Sequence, residues 1–269
     1  MRVKLKNRAL LKVSGHDARN FLQSQFSNDI FKITKSDVQL NCYCQHQGKI
    51  ISIMWLFLKD DNYYISIPIE VKDIVQSKLN MYKLSSQVTI EDCSSNFLQY
   101  GQINQIDKHS YVINKNLSLM LSKEIIPSNI DLNVWERYCI EQKLPEIYLN
   151  SVERYIPQDL NLDIDNFGVS FSKGCYPGQE VVARMHYLGT PKRRLFSFIS
   201  KFEAFIGDNI DIENSDSLKS SGKVIRISKV DSKFYLLGTF EVKHANKDIF
   251  LNGDINKKLT IINEKSNLS

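Results

Sequence analysis

The chain is poor in the residues that small stapled scaffolds depend on. Cysteine occurs only at Cys42, Cys44, Cys93, Cys139 and Cys175 in 269 residues. An odd, sparse set, mostly within apolar pattern, argues against a disulfide framework and for a reducing compartment, so a cytoplasmic location is expected. No apolar run approaches the roughly 20 residues of a bilayer span. The longest, Ile50 to Leu58, is closed off by Lys49 and Lys59 and reads as a buried strand. Met1 to Arg8 carries charge with no apolar stretch behind it, which does not match a secretory signal. Neither sign of charge dominates: 35 basic against 30 acidic residues leave +5, too small an excess to name a nucleic-acid partner without a concentrated patch. Fixed-period repeats, low-complexity tracts, a Gly-x-Ser-x-Gly elbow, a phosphate loop and a dinucleotide glycine fingerprint are all missing. The five histidines are scattered, so hydrolysis by a Ser/His/Asp set has no support.

What is present is an ordinary globular composition, 42% apolar and 24% charged, in a chain long enough for one large domain or two to three smaller ones. Leu10 to Ser14 reads as a strand that enters, through Gly15, a helix at about 17–27 with Ala18, Phe21, Leu22, Gln25 and Phe26 on helical spacing. Ile50 to Leu58 and Tyr63 to Ile67, joined at Lys59 to Asn62, predict a hairpin. Val71, Ile74, Val75, Leu79 and Tyr82 then predict a helix. A β-rich passage runs from Val88 to Leu121, and a helix from about Asn133 to Leu144 is stopped by Pro145. Beyond Pro191 the strand candidates 193–201, 223–230, 233–242 and 259–263 alternate with polar turns and predict a small all-β domain. The expected division is an α+β region over 1–190, with possible subdomains of about 1–40 with 95–190 and 41–94, followed by a β domain over 191–269.

Chemistry concentrates at Lys173-Gly174-Cys175-Tyr176-Pro177-Gly178-Gln179-Glu180. Pro177-Gly178 supplies both central residues of a type II turn. Gly174 permits close approach to Cys175, and the Lys173 ammonium, two residues away, can lower the thiol pKa. Taken alone, Cys175 reads more readily as a half-buried, inert thiol on a turn than as a reactive one. Glu180 and Arg184 read either as an i,i+4 helical ion pair or as site groups. The density of Lys173, Cys175, Tyr176, Gln179, Glu180 and Arg184 within twelve residues favours a site.

This octapeptide meets in full the hallmark Lys-Gly-Cys-[Tyr/Phe]-x-Gly-Gln-Glu, and the chain resembles the YgfZ/GcvT-related family of folate-binding proteins. Leu11 to Asp29, Ile156 to Asp163, Val169 to Lys173 and Val182 to Arg184 extend the resemblance over most of the chain. Pro177 fills a hallmark position that is often Val, Ile or Thr. The resemblance implies an aminomethyltransferase-like fold, with ferredoxin-like α+β domains and a C-terminal all-β barrel around a central channel. It further implies tetrahydrofolate, or another folate, as cofactor. The implied role is accessory, in assembly or maintenance of iron–sulfur enzymes such as radical tRNA-thiolating enzymes, with indirect effects on tRNA modification. Cys175 and Lys173 are then the reacting groups, and Gly174, Tyr176, Gly178, Gln179, Glu180 and Arg184 shape the folate site. A monomer without direct nucleic-acid or membrane binding is expected. The alternative is a tetrahydrofolate-dependent one-carbon transferase. Glycine cleavage itself fits less well, because its aminomethyltransferases are longer and lack the cysteine hallmark.

Cys42-x-Cys44 with His46 invites a metal reading but lacks a second ligand pair, and in a strand the two thiols share one packed face. Pro191 to Arg194, with Arg184 and His186 upstream, can be a basic patch for phosphate, RNA or a polyglutamate tail, or a solvated junction. Trp55, Trp135, Tyr63, Tyr64 and Tyr138 have spacings that suit core packing better than a pterin wall.

Overall fold

Local signals become elements where the sequence places them. The computed structural model describes residues 1–84, 86–213 and 220–262. Its helices there are α1 (Ala18–Gln25), α2 (Lys72–Tyr82), α3 (Leu132–Glu141) and α4 (Gln179–Leu188). The first strands are β1 (Arg2–Lys4), β2 (Arg8–Ser14), β3 (Gln39–Cys44), β4 (Ile50–Lys59) and β5 (Asn62–Pro68). They are followed by β6 (Thr89–Asp92), β7 (Leu98–Ile103), β8 (Ser110–Val112) and β9 (Leu117–Ser122). No helix among the described residues is long and apolar enough to cross a membrane.

The chain divides into two compact units. The first comprises Met1–Leu132, Ile147–Pro157 and Leu162–Leu188. It contains a five-stranded sheet of order β3-β4-β5-β2-β6 and a four-stranded sheet of order β1-β7-β9-β8. The β4–β5 turn holds Asp60 and Asp61 at φ +48° and +56°, a two-residue reversal that suits the twist of a hairpin and that aspartate tolerates. Phe21, Leu22 and Phe26 around α1, and Val75 and Leu79 of α2, share one core with Tyr43, Met54, Leu56 and Ile65 of the five-stranded sheet. Alternation along β3 sends Tyr43 into that core, while Arg8 stacks over the buried Trp55 ring at 3.8 Å and donates from Nε to Ser66 Oγ at 2.7 Å.

The second unit comprises Asn133–Glu146, Gln158–Asn161 and Gly189–Ser269. Its strands are β10 (Arg193–Ser200), β11 (Asn209–Ile212), β12 (Gly222–Val230), β13 (Lys233–Glu241), β14 (Ile249–Leu251) and β15 (Lys258–Ile261). They close into a barrel in the order β10-β13-β12-β11-β14-β15, which leaves no free sheet edge. The fold is therefore α+β with a closed six-stranded barrel. The four strands expected here from pattern are β10, β12, β13 and β15; of the last, Asn263 lies outside the described residues. β11 and β14 are only four and three residues long; β11 does alternate, Asn-Ile-Asp-Ile, but over too brief a span to stand apart from the polar turns around it, and its pairing with β14 completes the ring.

Helix α3 packs on this barrel through polar contacts. Arg226 on β12 donates from Nε to Glu136 Oε2 at 2.6 Å and from Nη1 to Leu144 O at 2.8 Å, with its side chain only 2% exposed. Ser197 and Ser228 donate from Oγ to Ile140 O and Asn133 O, both at 2.6 Å. Arg193 and Arg194, read as part of a basic patch, each donate to main-chain carbonyls, of Ser220 and Ser221 and of Gln158 respectively. Removing one partner of a buried ion pair strands the other charge. Arg226→Met should therefore lower unfolding stability by about 3–5 kcal/mol in chemical denaturation, with early loss of hydrogen-exchange protection in β12. Adding Glu136→Leu should recover most of the loss.

Candidate functional site

The hallmark segment belongs to the first unit and is held by groups far away in sequence. Lys173 is 8% exposed. Its ammonium donates to the main-chain carbonyls of Gln23 at 2.5 Å, Phe26, and Asn28 at 3.2 Å. These carbonyls lie at and just beyond the carboxyl end of α1, where unpaired C=O groups and the helix dipole favour a cation. Burial pulls the Lys173 pKa down to about 8, with the Asp29 carboxylate opposing that shift. The ammonium also sits 5.2 Å from the centroid of the Tyr176 ring. All three of its protons are engaged by carbonyls, and none of these bonds goes to Cys175.

Residues 26–28 are the hub of this arrangement. Ser27 Oγ donates to Gly168 O at 2.5 Å and accepts from Cys42 N–H at 2.7 Å, while Ser27 O accepts from Ser170 N–H at 3.0 Å. Asn28 Nδ2 donates to Leu40 O at 3.0 Å and Asn166 O at 3.3 Å. Strand β3, the end of α1 and the 166–173 stretch are thereby tied together. Nothing in the sequence marks Ser27 or Asn28 beyond their place within the Leu11 to Asp29 stretch that carries the resemblance.

The turn forms as expected. Gly178 has φ +82°, and Gln179 N–H closes the turn on Tyr176 O at 3.2 Å. A Cβ on Gly178 would stand 2.5 Å from Gln45 O and 2.7 Å from Gly48 Cα, so the β3–β4 loop presses directly on the turn. Gly48, itself at φ +74°, was not singled out from sequence; a lone glycine in a strand-linking turn gives no hint of its partner. Beside Gly174, by contrast, an added Cβ meets nothing within 4 Å. The close approach read there is found at Gly178 instead.

Tyr176 is buried, and its phenol pKa is pushed up first by that burial and then by the neighbouring Cys44 and Cys42 thiols. The Cys44 thiol is likewise pushed up, by its hydrogen bond with Cys42 and by burial. Both thiols are buried close enough to the tyrosine to be felt by its phenol, and among the described residues no cluster of metal-ligating side chains is found. Cys175, one residue before Tyr176, is the exposed member of the five free cysteines. Helix α4 then begins at Gln179, with Glu180 in its first turn. Glu180 and Arg184 are exposed and form no ion pair with each other, so the helical-pair reading does not hold. Phe171 stacks on His186 at 3.7 Å and 14°, folding the end of α4 back onto the residues before Lys173. The segment presents an accessible thiol followed closely in sequence by amide, carboxylate and guanidinium side chains that have no ion pair among the described residues, on a backbone fixed at both ends.

No family model matches the chain. An uncharacterised protein of Haemophilus influenzae is 29% identical over 240 residues, 84% of either chain. The tRNA-modifying protein YgfZ of Colwellia psychrerythraea is 25% identical over 264 residues, covering 85% of this chain and 81% of its own. Among solved structures, the glycine cleavage system aminomethyltransferase T of Bartonella henselae aligns with a TM-score of 0.73 at 10% identity, over 98% of this chain and 85% of the other, a likeness of fold.

Two measurements probe the site's construction. Gly178→Ala, forced to φ +82° and into the Gln45 carbonyl, should cost more than about 1 kcal/mol and, by displacing the β3–β4 loop, speed alkylation of Cys42 and Cys44 at the end of β3. For Lys173, the folded pKa of about 8 lies below the ordinary 10.5, so between those pH values the unfolded chain holds the extra proton. Stability from this group is lowest below pH 8 and rises toward pH 10.5. The stability of the wild type relative to Lys173→Met should thus grow by about 1–3 kcal/mol across that window in pH-resolved urea denaturation.

Proposed function

Because the chain is YgfZ/GcvT-related, we propose that it binds a folate, tetrahydrofolate foremost, and uses Cys175 in assembling or maintaining iron–sulfur enzymes of the cytoplasm, tRNA-thiolating enzymes among them. The observation that carries this reading is the pairing of an exposed thiol with a rigid loop whose neighbouring polar side chains are left free. Two of the hallmark's side chains, Gln179 and Glu180, together with Arg184 one turn further along α4, suit the donor and acceptor edges of a pterin and the carboxylates of a folate tail. Tyr176 and Gly178 act by setting the backbone on which those groups stand, and Lys173 by anchoring it. A folate, when bound, supplies a carrier for a one-carbon unit. The protein's own part is to orient that carrier and to keep one thiol accessible while four others are buried.

The names of the YgfZ relatives fit an effect on tRNA modification, reached here through the client enzymes rather than through RNA itself. Calorimetric titration with tetrahydrofolate should saturate for the wild type and for Cys175→Ala, and weaken about tenfold or more for Arg184→Ala. No saturable heat up to millimolar folate would sink the folate assignment. In cells, Cys175→Ala should depress iron–sulfur enzyme activity under oxidative stress; unchanged activity removes the thiol from the mechanism. The aminomethyltransferase-like fold favours one rival, a one-carbon transferase. Multiple turnovers with tetrahydrofolate and a one-carbon donor, lost in Cys175→Ala, would put it in first place.

A further inference from the structure

The first unit also carries a cleft of about 850 Å³ whose lining includes no residue of the 169–188 segment. Its volume is that of a small-molecule site. Three separate stretches of chain bring a lysine to it: Lys35 from the approach to β3, Lys59 from the end of β4, and Lys108 from the approach to β8. Two aspartates of the β4–β5 turn face them, Asp60 at 2.9 Å from Lys59 and Asp61 at 3.6 Å from Lys35. The Lys35–Asp61 pair is 86% and 91% exposed, so it contributes little and is readily exchanged for a stronger anion. Lys108 has no ion-pair partner among the described residues. Tyr111 adds an aromatic surface, its ring supported by Phe57 at 4.4 Å between centroids. Burial pushes its phenol up to about 12, and the neutral hydroxyl can both donate and accept a hydrogen bond.

We propose that this cleft binds a nucleoside phosphate, with the phosphate on Lys35, Lys59 and Lys108, the base against Tyr111, and the ribose hydroxyls donating to Asp60 and Asp61. The mixture of groups selects this class. A bare phosphate has no use for the aromatic surface or the volume, and a neutral ring compound none for three ammonium groups. Carboxylates facing the same space would repel a purely anionic ligand but accept hydrogen bonds from a diol. The site is independent of the folate reading, and its source can be a free nucleotide or one nucleotide of an RNA chain.

The test is calorimetry on the intact protein with adenosine monophosphate, adenosine, inorganic phosphate and a tetraribonucleotide of adenosine. Adenosine monophosphate should bind with a sub-millimolar Kd, and adenosine and phosphate each about tenfold or more weaker. Lys35→Glu with Lys108→Glu, both at exposed positions and so compatible with folding as checked by circular dichroism, should weaken it about tenfold or more. Tyr111→Leu should weaken the nucleotide but not phosphate. A tetranucleotide that binds markedly tighter than the monomer assigns the source to RNA, and one that does not assigns it to a free nucleotide. No saturable binding of adenosine monophosphate up to about 10 mM, or equal binding by the charge-reversed protein, overturns the proposal.

Discussion

The candidate site depends on one buried cation finding enough acceptors. Lys173 can be drawn into the protein only because the carboxyl end of α1 offers it the carbonyls of Gln23, Phe26 and Asn28. Once it is there, residues 168–176 have little freedom: Ser27 holds Gly168 and Ser170 from one side, and the Tyr176 ring lies against the ammonium on the other. Cys175 is carried to the surface as the residue between two buried anchors. The lysine two positions before a hallmark cysteine thus does its work on the main chain, and the thiol faces solvent with the polar side chains of α4 nearby in sequence.

Burial also separates the cysteines by reactivity. Cys42 and Cys44 are both buried, and the Cys44 thiol is pushed up by its hydrogen bond with Cys42 and by desolvation, the condition in which a thiol packs rather than reacts. Cys93 and Cys139 are buried as well. A reagent or client that cannot open the fold meets Cys175 alone. The same logic governs the barrel unit, where Arg226 is drawn inside because Glu136 and Leu144 O await it, so that the charge is matched within the fold and fixes where α3 sits on its barrel.

Much of the fold could be read in advance because its signals are local. The alternation in β4 and β5, the helical spacing in α1, α2 and α3, and the turn at Lys59 to Asn62 each reside within about a dozen residues, and each element forms with its ends shifted by only a few positions. The Pro177-Gly178 reversal was equally visible, since proline and glycine specify backbone angles by themselves. Less was visible at Gly174, where space stays open, and at Glu180 and Arg184, which have helical spacing for an ion pair but do not form one. Spacing makes such a contact available; it does not make it favourable enough to outweigh solvation and side-chain entropy.

The sequence by itself determined which segments become strands and helices, where the hallmark turn reverses, and that one thiol stands among titratable groups, because these follow from residue identity and short-range sterics. Tertiary structure alone decided where the Lys173 ammonium points, which loop presses on Gly178, and that residues 133–146 join the barrel unit. Those outcomes rest on partners as much as 150 residues apart. Such contacts leave no periodic trace in the chain, since what selects them is the match between a buried donor and the acceptors that happen to be folded against it.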